Sequence, residues 1–168
     1  GGDGNDTLKG GISIDGGLGN DLATLSSTTT SVDMGAGNDT VDGADSSQGG
    51  NLSINTGAGQ DRIVVGQTSG YLYINAGDDD DYIQDKSTSF WSSNSEGGHA
   101  IYGGSGNDTL IGGNNQNGSS RWDSQHFHGG DGNDSIDAQG GRDELYGDSG
   151  RDTLLGGDGD DLLYGGTG

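Results

Sequence analysis

The sequence contains no cysteine and no proline, and only six of its 168 residues are Lys or Arg. The lack of cysteine excludes a disulfide framework and a thiolate metal site. No apolar run approaches the roughly 18 residues of a membrane span, which excludes a membrane-spanning helix. The scarcity of basic residues argues against nucleic acid and anionic lipid as partners. No signal segment with a basic and then an apolar stretch begins at residue 1, so we expect any export signal to lie outside this sequence.

Large apolar residues are also scarce, because Leu, Ile, Val and Phe together account for 27 of the 168 residues. Combined with a net charge of −21, this content is typical of disordered chains. So little apolar surface cannot offset backbone ordering at about 1–2 kcal/mol per residue. The 39 glycines follow no three-residue period, which excludes collagen. The composition therefore predicts that folding needs an additional contribution, and the negative charge favours cations.

A nine-residue pattern, G-G-x-G-x-D-x-U-x with U apolar, recurs along the chain. Clear copies begin at Gly1, Gly103, Gly129 and Gly156. The glycines allow positive φ angles and close approach of carbonyl groups, and the sixth-place Asp adds a carboxylate to these hard oxygen ligands. The last three residues alternate like a short strand with one buried side chain. With the looser copies, ten aspartates occupy the sixth place: Asp6, Asp21, Asp39, Asp61, Asp81, Asp108, Asp134, Asp143, Asp152 and Asp161.

These residues resemble the RTX, or haemolysin-type, calcium-binding nonapeptide repeat. The resemblance implies an all-β fold, a right-handed parallel β-roll or β-helix solenoid of about nine coils. In that fold the first six residues of each unit form a calcium-binding turn and the last three form a strand. One turn supplies only part of a shell of 6–8 oxygens, so successive coils must share each ion. The predicted ligands are the ten aspartates with the backbone carbonyls of Gly1, Asp3, Gly17, Gly35, Gly57, Gly77, Gly104, Gly130 and Gly157.

The spacing of the aspartates predicts two unequal edges, because two nonapeptides make one coil of roughly 18 residues. We predict that the first edge carries Asp6, Asp21, Asp39, Asp61, Asp81, Asp108, Asp134 and Asp152, with up to seven calcium positions between them. The second edge carries only Asp143 and Asp161, enough for one further ion. Elsewhere it holds irregular loops, which we predict at 26–30, 43–51, 66–70, 86–98 and 112–125. The cofactor is thus Ca²⁺, up to about eight ions. Residues 1–168 form one repeat array, with calcium turns mainly on one edge in 1–128 and on both edges in 129–168.

The same alignment predicts two columns of inward-facing residues. One column contains Leu8, Ala23, Val41, Ile63, Ile83, Leu110, Ile136, Leu145, Leu154 and Leu163. The facing column contains Ile12, Ile14, Val32, Met34, Leu52, Ile54, Leu72, Ile74, Ile101 and Phe127.

Two turns depart from the glycine pattern. Asp79 replaces the fourth-place glycine, and Asp is one of the few residues that tolerate positive φ. Because the run from Asp78 to Asp81 would repel itself without a cation, we expect this turn to hold calcium. Ala138 and Gln139 replace the glycine pair of the Asp143 turn, which we expect to be the least secure site.

Other side chains offer weaker indications of chemistry. No H-E-x-x-H, G-x-S-x-G or P-loop pattern is present, so we do not predict an enzyme. His126 and His128 should point outward. They are either solvated or form a zinc site together with His99. Trp91, Arg121 and Trp122 lie in the two longest second-edge loops. They either cover a thin part of the core or bind a sugar by stacking and hydrogen bonding.

The sequence therefore predicts a calcium-dependent structural module of a secreted or cell-surface protein, which folds on calcium binding after export. The resemblance implies bacterial type I secretion of the unfolded chain. Because the sequence begins and ends within motifs, we expect it to be part of a longer array. The alternatives are a carbohydrate-binding or adhesin module that binds glycans, and a calcium-stiffened extracellular filament of identical subunits in head-to-tail contact. We expect neither nucleic acid nor membrane insertion.

Overall fold

The structure, a computed structural model, describes residues 1–68, 70–88, 98–114 and 124–168. Within these ranges the regular elements are 17 β-strands, and the neighbouring strands pair in parallel. The described residues contain no helix that is long and apolar enough to cross a membrane. The all-β prediction is confirmed.

The strands form two parallel sheets, and each coil of the chain contributes one strand to each sheet. The nine-stranded sheet contains β1 (Gly2–Asp3), β3 (Ser13–Leu18), β5 (Ser31–Ala36), β7 (Leu52–Ala58), β9 (Leu72–Asp78), β11 (Ala100–Ser105), β13 (His126–Asp131), β15 (Glu144–Ser149) and β17 (Leu162–Tyr164). The eight-stranded sheet contains β2 (Thr7–Lys9), β4 (Leu22–Thr24), β6 (Thr40–Gln48), β8 (Arg62–Thr68), β10 (Tyr82–Asp85), β12 (Thr109–Ile111), β14 (Ser135–Asp137) and β16 (Thr153–Leu155). This alternation is the predicted parallel β-roll.

The core lies between the two sheets and contains one continuous apolar column from each, and the predicted core residues Met34, Leu52 and Leu72 of the nine-stranded sheet are buried beside it. Strands that align in register place equivalent side chains above one another, so the repeat stacks its single apolar position. The eight-stranded sheet contributes Leu8, Ala23, Val41, Ile63, Ile83, Leu110, Ile136 and Leu154. The nine-stranded sheet contributes Ile14, Val32, Ile54, Ile74, Ile101, Phe127, Leu145 and Leu163. Most of these side chains are buried, and Leu8 and Leu154, in the outermost strands of their sheet, are partly buried.

Leu145 and Leu163 are assigned to the wrong column, and the two predicted core residues Ile12 and Leu163 are exposed. Leu145 and Leu163 align with Phe127 in the nine-stranded sheet, because they follow turns on the second edge. Leu163 is 47% exposed, since its strand β17 is the outermost of its sheet. Ile12 is 69% exposed, because β3 begins at Ser13 and places Ile14 as its first inward residue.

Part of the second edge is more regular than predicted. Residues 43–51 and 66–70 were expected to form loops, yet β6 and β8 continue through parts of both segments. Their pairing extends from Thr40 to Gln48 with a shift between Gly43 and Ser47. Val65 is fully buried at the start of this extension, so an additional apolar contact holds the longer strands together.

Candidate metal centre

The sixth-place aspartates of the first edge stack along the roll, each directly before a strand of the eight-stranded sheet. Here the backbone N–H of one aspartate donates to Oδ1 of the aspartate in the next coil. Asp21, for example, donates to Asp39 at 2.7 Å. Seven such bonds, 2.7 to 3.0 Å long, connect Asp6 through to Asp152. The predicted first-edge ladder is therefore a continuous hydrogen-bonded column.

In seven of these eight first-edge residues, all but Asp6, the second carboxylate oxygen is buried without a hydrogen-bond partner. In the described part of the chain, eight buried Oδ2 atoms are unpaired: those of Asp21, Asp39, Asp61, Asp81, Asp108, Asp134, Asp143 and Asp152. A buried polar atom without a partner costs free energy, and a buried charge costs more. Each of these oxygens is thus available to a cation.

Backbone carbonyls approach the same turns from neighbouring coils. Gly57 has a φ of 101°, and a Cβ at this position would overlap the carbonyl oxygen of Gly35. The turn therefore needs glycine for both its dihedral angle and its close contact. The same contact places the carbonyls of Gly17, Gly35, Gly57, Gly77 and Gly104 between successive first-edge turns. Gly130 and Gly157 are likewise the second residues of their repeats.

In the first turn the predicted carbonyl ligands are Gly1 and Asp3, and their role as ligands stays a prediction. Gly2, and not Gly1, pairs with Gly17, so Gly2 is the residue equivalent to the predicted carbonyl ligands of later turns. Gly1 lies beside the Asp6 carboxylate, where a Cβ would overlap it. Asp3 occupies the third place, where other coils use the carbonyl to accept a backbone N–H. The Asp131 carbonyl, for example, accepts the N–H of Gly106 at 2.8 Å.

Burial disfavours the charged form of the stacked aspartates. It raises the pKa of Asp81 to about 8 and that of Asp143 to about 7. The pKa values of Asp39 and Asp108 rise to about 6 for the same reason. Coulombic repulsion from neighbouring aspartates adds to desolvation, and the backbone N–H bonds oppose it only in part. A divalent cation between the turns would relieve both costs.

The turn of four consecutive aspartates has one buried member. Asp79 adopts the predicted positive φ, at 77°. Asp78 accepts the Ser105 hydroxyl at 2.9 Å, and Asp80 accepts the backbone N–H of Asn107 at 2.7 Å. The backbone N–H and the side-chain amide of Asn107 both donate to Asp80, and these two hydrogen bonds lower the pKa of Asp80. Only Asp81 is both buried and left with an unpaired oxygen.

The second edge repeats the arrangement on a smaller scale. The backbone N–H of Asp143 donates to Oδ1 of Asp161 at 2.9 Å. Gln139 adopts a positive φ of 70°, so this non-glycine residue takes the conformation that the turn requires. Its carbonyl accepts the N–H of Asp158 at 2.9 Å. The Asp143 turn therefore has the same form as the others, and whether it holds calcium stays a prediction.

A further ladder in the turns was not recognised in the sequence. The side-chain oxygen of the fifth-place residue accepts the backbone N–H of the fifth-place residue in the next coil. Asn5 accepts from Asn20 at 2.9 Å, and Asn20 accepts from Asn38 at 2.9 Å. In this ladder the N–H donor lies in the later coil, whereas in the aspartate column it lies in the earlier coil. The frequent asparagine before the sixth-place Asp was the signal that could have revealed this ladder.

The remaining candidate residues have different outcomes. Trp91, Arg121 and Trp122 lie outside the described residues, so their proposed role in sugar binding stays a prediction. His126 and His128 are partly exposed around a buried Phe127, as predicted. His99 is not grouped with them but is buried and bonded to Asp85. In the described residues no three His, Cys, Asp or Glu side chains come together to hold a metal ion by themselves, so calcium between the turns would also need the backbone carbonyls.

Comparison with known proteins identifies the repeat itself. The family model of the RTX calcium-binding nonapeptide repeat matches residues 1–12, 100–117, 122–154 and 138–168. These segments contain the copies with the full glycine pattern, and the looser copies between residues 13 and 99 are not matched. No curated protein and no solved structure matches the chain. RTX repeats bind Ca²⁺ and form a parallel β-roll, so the matched segments are calcium-binding repeats of the RTX family, as the sequence resemblance predicted.

Proposed function

We propose that this chain is a structural module of a secreted or cell-surface protein, in which calcium ions shared between coils make folding dependent on export. The observation that carries the proposal is the column of buried, unpaired Oδ2 atoms along the first edge. Calcium prefers such hard oxygen ligands, and backbone carbonyls of neighbouring coils complete its shell.

The proposed ligands are the ten sixth-place aspartates with second-place backbone carbonyls. Eight aspartates on the first edge leave seven intervals between coils, and Asp143 with Asp161 adds one on the second edge. Eight unpaired oxygens support a stoichiometry of about eight ions. Eight divalent ions would neutralise 16 of the 21 excess negative charges.

Each ion would join two coils, so binding and folding are coupled. Without calcium, the stacked carboxylates repel one another and lose the solvation that the unfolded chain provides. With calcium, the same carboxylates hold successive coils in register, and the binding free energy becomes folding free energy. This coupling explains how a chain with few large apolar residues forms a roll.

Calcium concentration would then determine where the chain folds. Extracellular calcium modules bind at about 10⁻⁴–10⁻³ M. At such an affinity the chain stays unfolded in a cytosol that is poor in calcium, and it folds outside the cell. This order is compatible with type I secretion of an unfolded chain.

Circular dichroism during a calcium titration at neutral pH tests the proposal. We expect a disordered spectrum in calcium-free buffer and a cooperative gain of β signal with added calcium. Magnesium at the same concentration is the control, because it demands a smaller octahedral shell and dehydrates reluctantly. A substantial β signal in calcium-free buffer at neutral pH would contradict calcium-dependent folding.

A further inference from the structure

The second-edge ladder continues beyond the two aspartates, with different side chains. His99 and Gln125 directly precede strands β11 and β13, as Asp143 and Asp161 precede β15 and β17. The backbone follows the same pattern, since the carbonyls of His99 and Gln125 accept N–H groups from the next coil at 2.8 and 2.9 Å. Gln125 also donates its backbone N–H to Oδ1 of Asp143 at 2.8 Å. Two sixth places of the second edge are thus occupied by an imidazole and an amide.

The amide oxygen of Gln125 fills the space that a carboxylate oxygen fills elsewhere. A Cβ at Gly112 would lie 2.5 Å from Oε1 of Gln125 and 2.6 Å from the Ala138 carbonyl. At Gly129 the corresponding neighbours are Oδ2 of Asp134 and a carbonyl of the next coil. Unlike the carboxylate oxygen, Oε1 of Gln125 is engaged, because it accepts the N–H of Gly113 at 3.1 Å.

Asp85 differs from the other buried aspartates because both of its oxygens have partners. Oδ1 accepts the backbone N–H of Ser87 at 2.8 Å. Oδ2 accepts from His99 Nδ1 at 2.8 Å and from Gln125 Nε2 at 3.0 Å. The carboxylate is fully buried, and His99 is 2% exposed. A buried carboxylate needs a compensating cation or a complete set of hydrogen bonds.

The contacts around His99 leave room for a proton on each ring nitrogen. Nδ1 lies 2.8 Å from Asp85 Oδ2 and donates to it. The Ser87 hydroxyl donates to the Gly66 carbonyl at 3.1 Å and lies 3.1 Å from the Thr68 hydroxyl. If Thr68 donates to Ser87, its oxygen, 3.3 Å from His99 Nε2, is left to accept a proton from the ring. A ring that donates from both nitrogens is an imidazolium, and that charge is part of the proposal that follows.

We propose that the buried imidazolium of His99, paired with Asp85 and bridged by Gln125, is a built-in cation that closes the second edge where a calcium-binding turn would otherwise stand. This site uses Asp85, His99, Gln125, Thr68 and Ser87, none of which belongs to the proposed calcium ligands. It joins the middle coils along the second edge through protein groups alone. These coils therefore need calcium only on the first edge.

Nitrogen-15 NMR of the calcium-loaded full chain, labelled at histidine, tests the protonation state. We expect both ring nitrogens of His99 to show attached protons at neutral pH, with slow exchange because the pair is buried. A spectrum in which one ring nitrogen of His99 lacks a proton would overturn the proposal. His128 is the reference, since its Nδ1 lies 3.0 Å from Asp148 Oδ2 but the two side chains are 32% and 42% exposed.

Substitutions test whether the two groups act as a pair. His99→Gln and Asp85→Asn should each lower the denaturation midpoint in saturating calcium, and the double variant should lose much less than the sum of the two. Additive losses would contradict a coupled pair. His128→Gln is the matched control, and we expect it to leave the midpoint almost unchanged. If a single variant fails to fold, the NMR measurement on the unmodified chain still decides.

Calcium stoichiometry separates this proposal from the calcium ladder. Native mass spectrometry should find the same number of bound ions in the unmodified chain and in Asp85→Asn. Loss of an ion in Asp85→Asn would show that the carboxylate is a calcium ligand and would overturn the built-in cation. Absence of calcium from the unmodified chain would overturn the ladder and leave the His99 result standing.

Discussion

The backbone N–H of Asp108 donates to Oδ1 of Asp134 at 2.8 Å, while Oδ2 of Asp134 is buried without a partner. The two oxygens of one carboxylate thus have different roles. Oδ1 connects adjacent coils through a hydrogen bond, and Oδ2 is left for a ligand. Since this relationship repeats along the first edge, each coil contributes the same half-site to its neighbours.

Replacing one ladder aspartate should remove shared calcium without changing the charge elsewhere. Asp61→Asn keeps an oxygen that can accept the N–H of Asp39 but removes the charge that favours calcium. We expect the stoichiometry to fall by about one or two ions, because each turn contacts the intervals on both of its sides. Isothermal titration calorimetry measures this change. Asp15→Asn is the control, since Asp15 is exposed on β3, and an equal loss there would contradict the assignment.

Replacing a second-place glycine should prevent adjacent turns from stacking. Gly57→Ala introduces a Cβ that overlaps the Gly35 carbonyl at a φ of 101°. We expect a large increase in the calcium concentration at the folding midpoint, measured by circular dichroism. Gly50→Ala is the control, because a Cβ there meets no atom within 4 Å. Equal midpoints for the two variants would show that the close contact is unimportant.

Loss of the largest buried side chain should destabilise the roll even with calcium bound. Phe127 is fully buried in the core, and truncating Phe to Ala in a core costs about 3–5 kcal/mol. We expect Phe127→Ala to lose a free energy of unfolding in that range in urea with saturating calcium. Tyr73→Ala, at a position 36% exposed, should lose much less. A small loss at Phe127 would mean that calcium, and not the core, supplies nearly all of the stability.

The raised pKa values predict that the calcium-free chain is better ordered in acid. Folding raises the pKa of Asp81 to about 8 and of Asp143 to about 7, from 3.8. The folded form therefore binds more protons, and its stability falls as pH increases between about 4 and 8. Circular dichroism in calcium-free buffer should show more β structure near the acidic end of this window. Asp81→Asn should weaken the dependence, and a signal that does not change with pH would contradict it.

Protons and calcium compete for the same oxygens, so calcium binding should have the opposite pH dependence. We expect the calcium concentration at the folding midpoint to decrease as pH rises through the same window, because deprotonated aspartates bind calcium without first losing a proton. Calcium titrations at several pH values measure this. A midpoint that stays constant would show that the ladder aspartates are ionised throughout.

Several features could be predicted from the sequence because the repeat is local. The glycine positions, the sixth-place Asp and the single apolar residue lie within nine residues of one another, so turn and strand follow from short-range chemistry. Asp79 illustrates this, since its tolerance of positive φ is a property of the residue alone. The first-edge ladder also follows, because each coil carries one recognisable copy of the turn even though the coils range from 15 to 27 residues in length.

Other features depended on how the coils align. Leu145 and Leu163 follow the turns of Asp143 and Asp161, which the spacing already placed on the second edge, so their column could have been inferred from the sequence, and strand pairing with Phe127 establishes it. Ile12 was assigned to the core on its apolar character, but the strand begins one residue later and turns it outward.

The sequence by itself determined that this chain is a calcium-binding β-roll, because periodic glycine and aspartate specify turn geometry and oxygen ligands within each repeat. Only the tertiary structure revealed which carboxylate oxygens are paired and which are not. It also placed His99 and Gln125 in the second-edge ladder beside Asp85. These residues lie 14 to 40 positions apart in the chain, and a solenoid brings distant residues together only through the lengths of the coils between them.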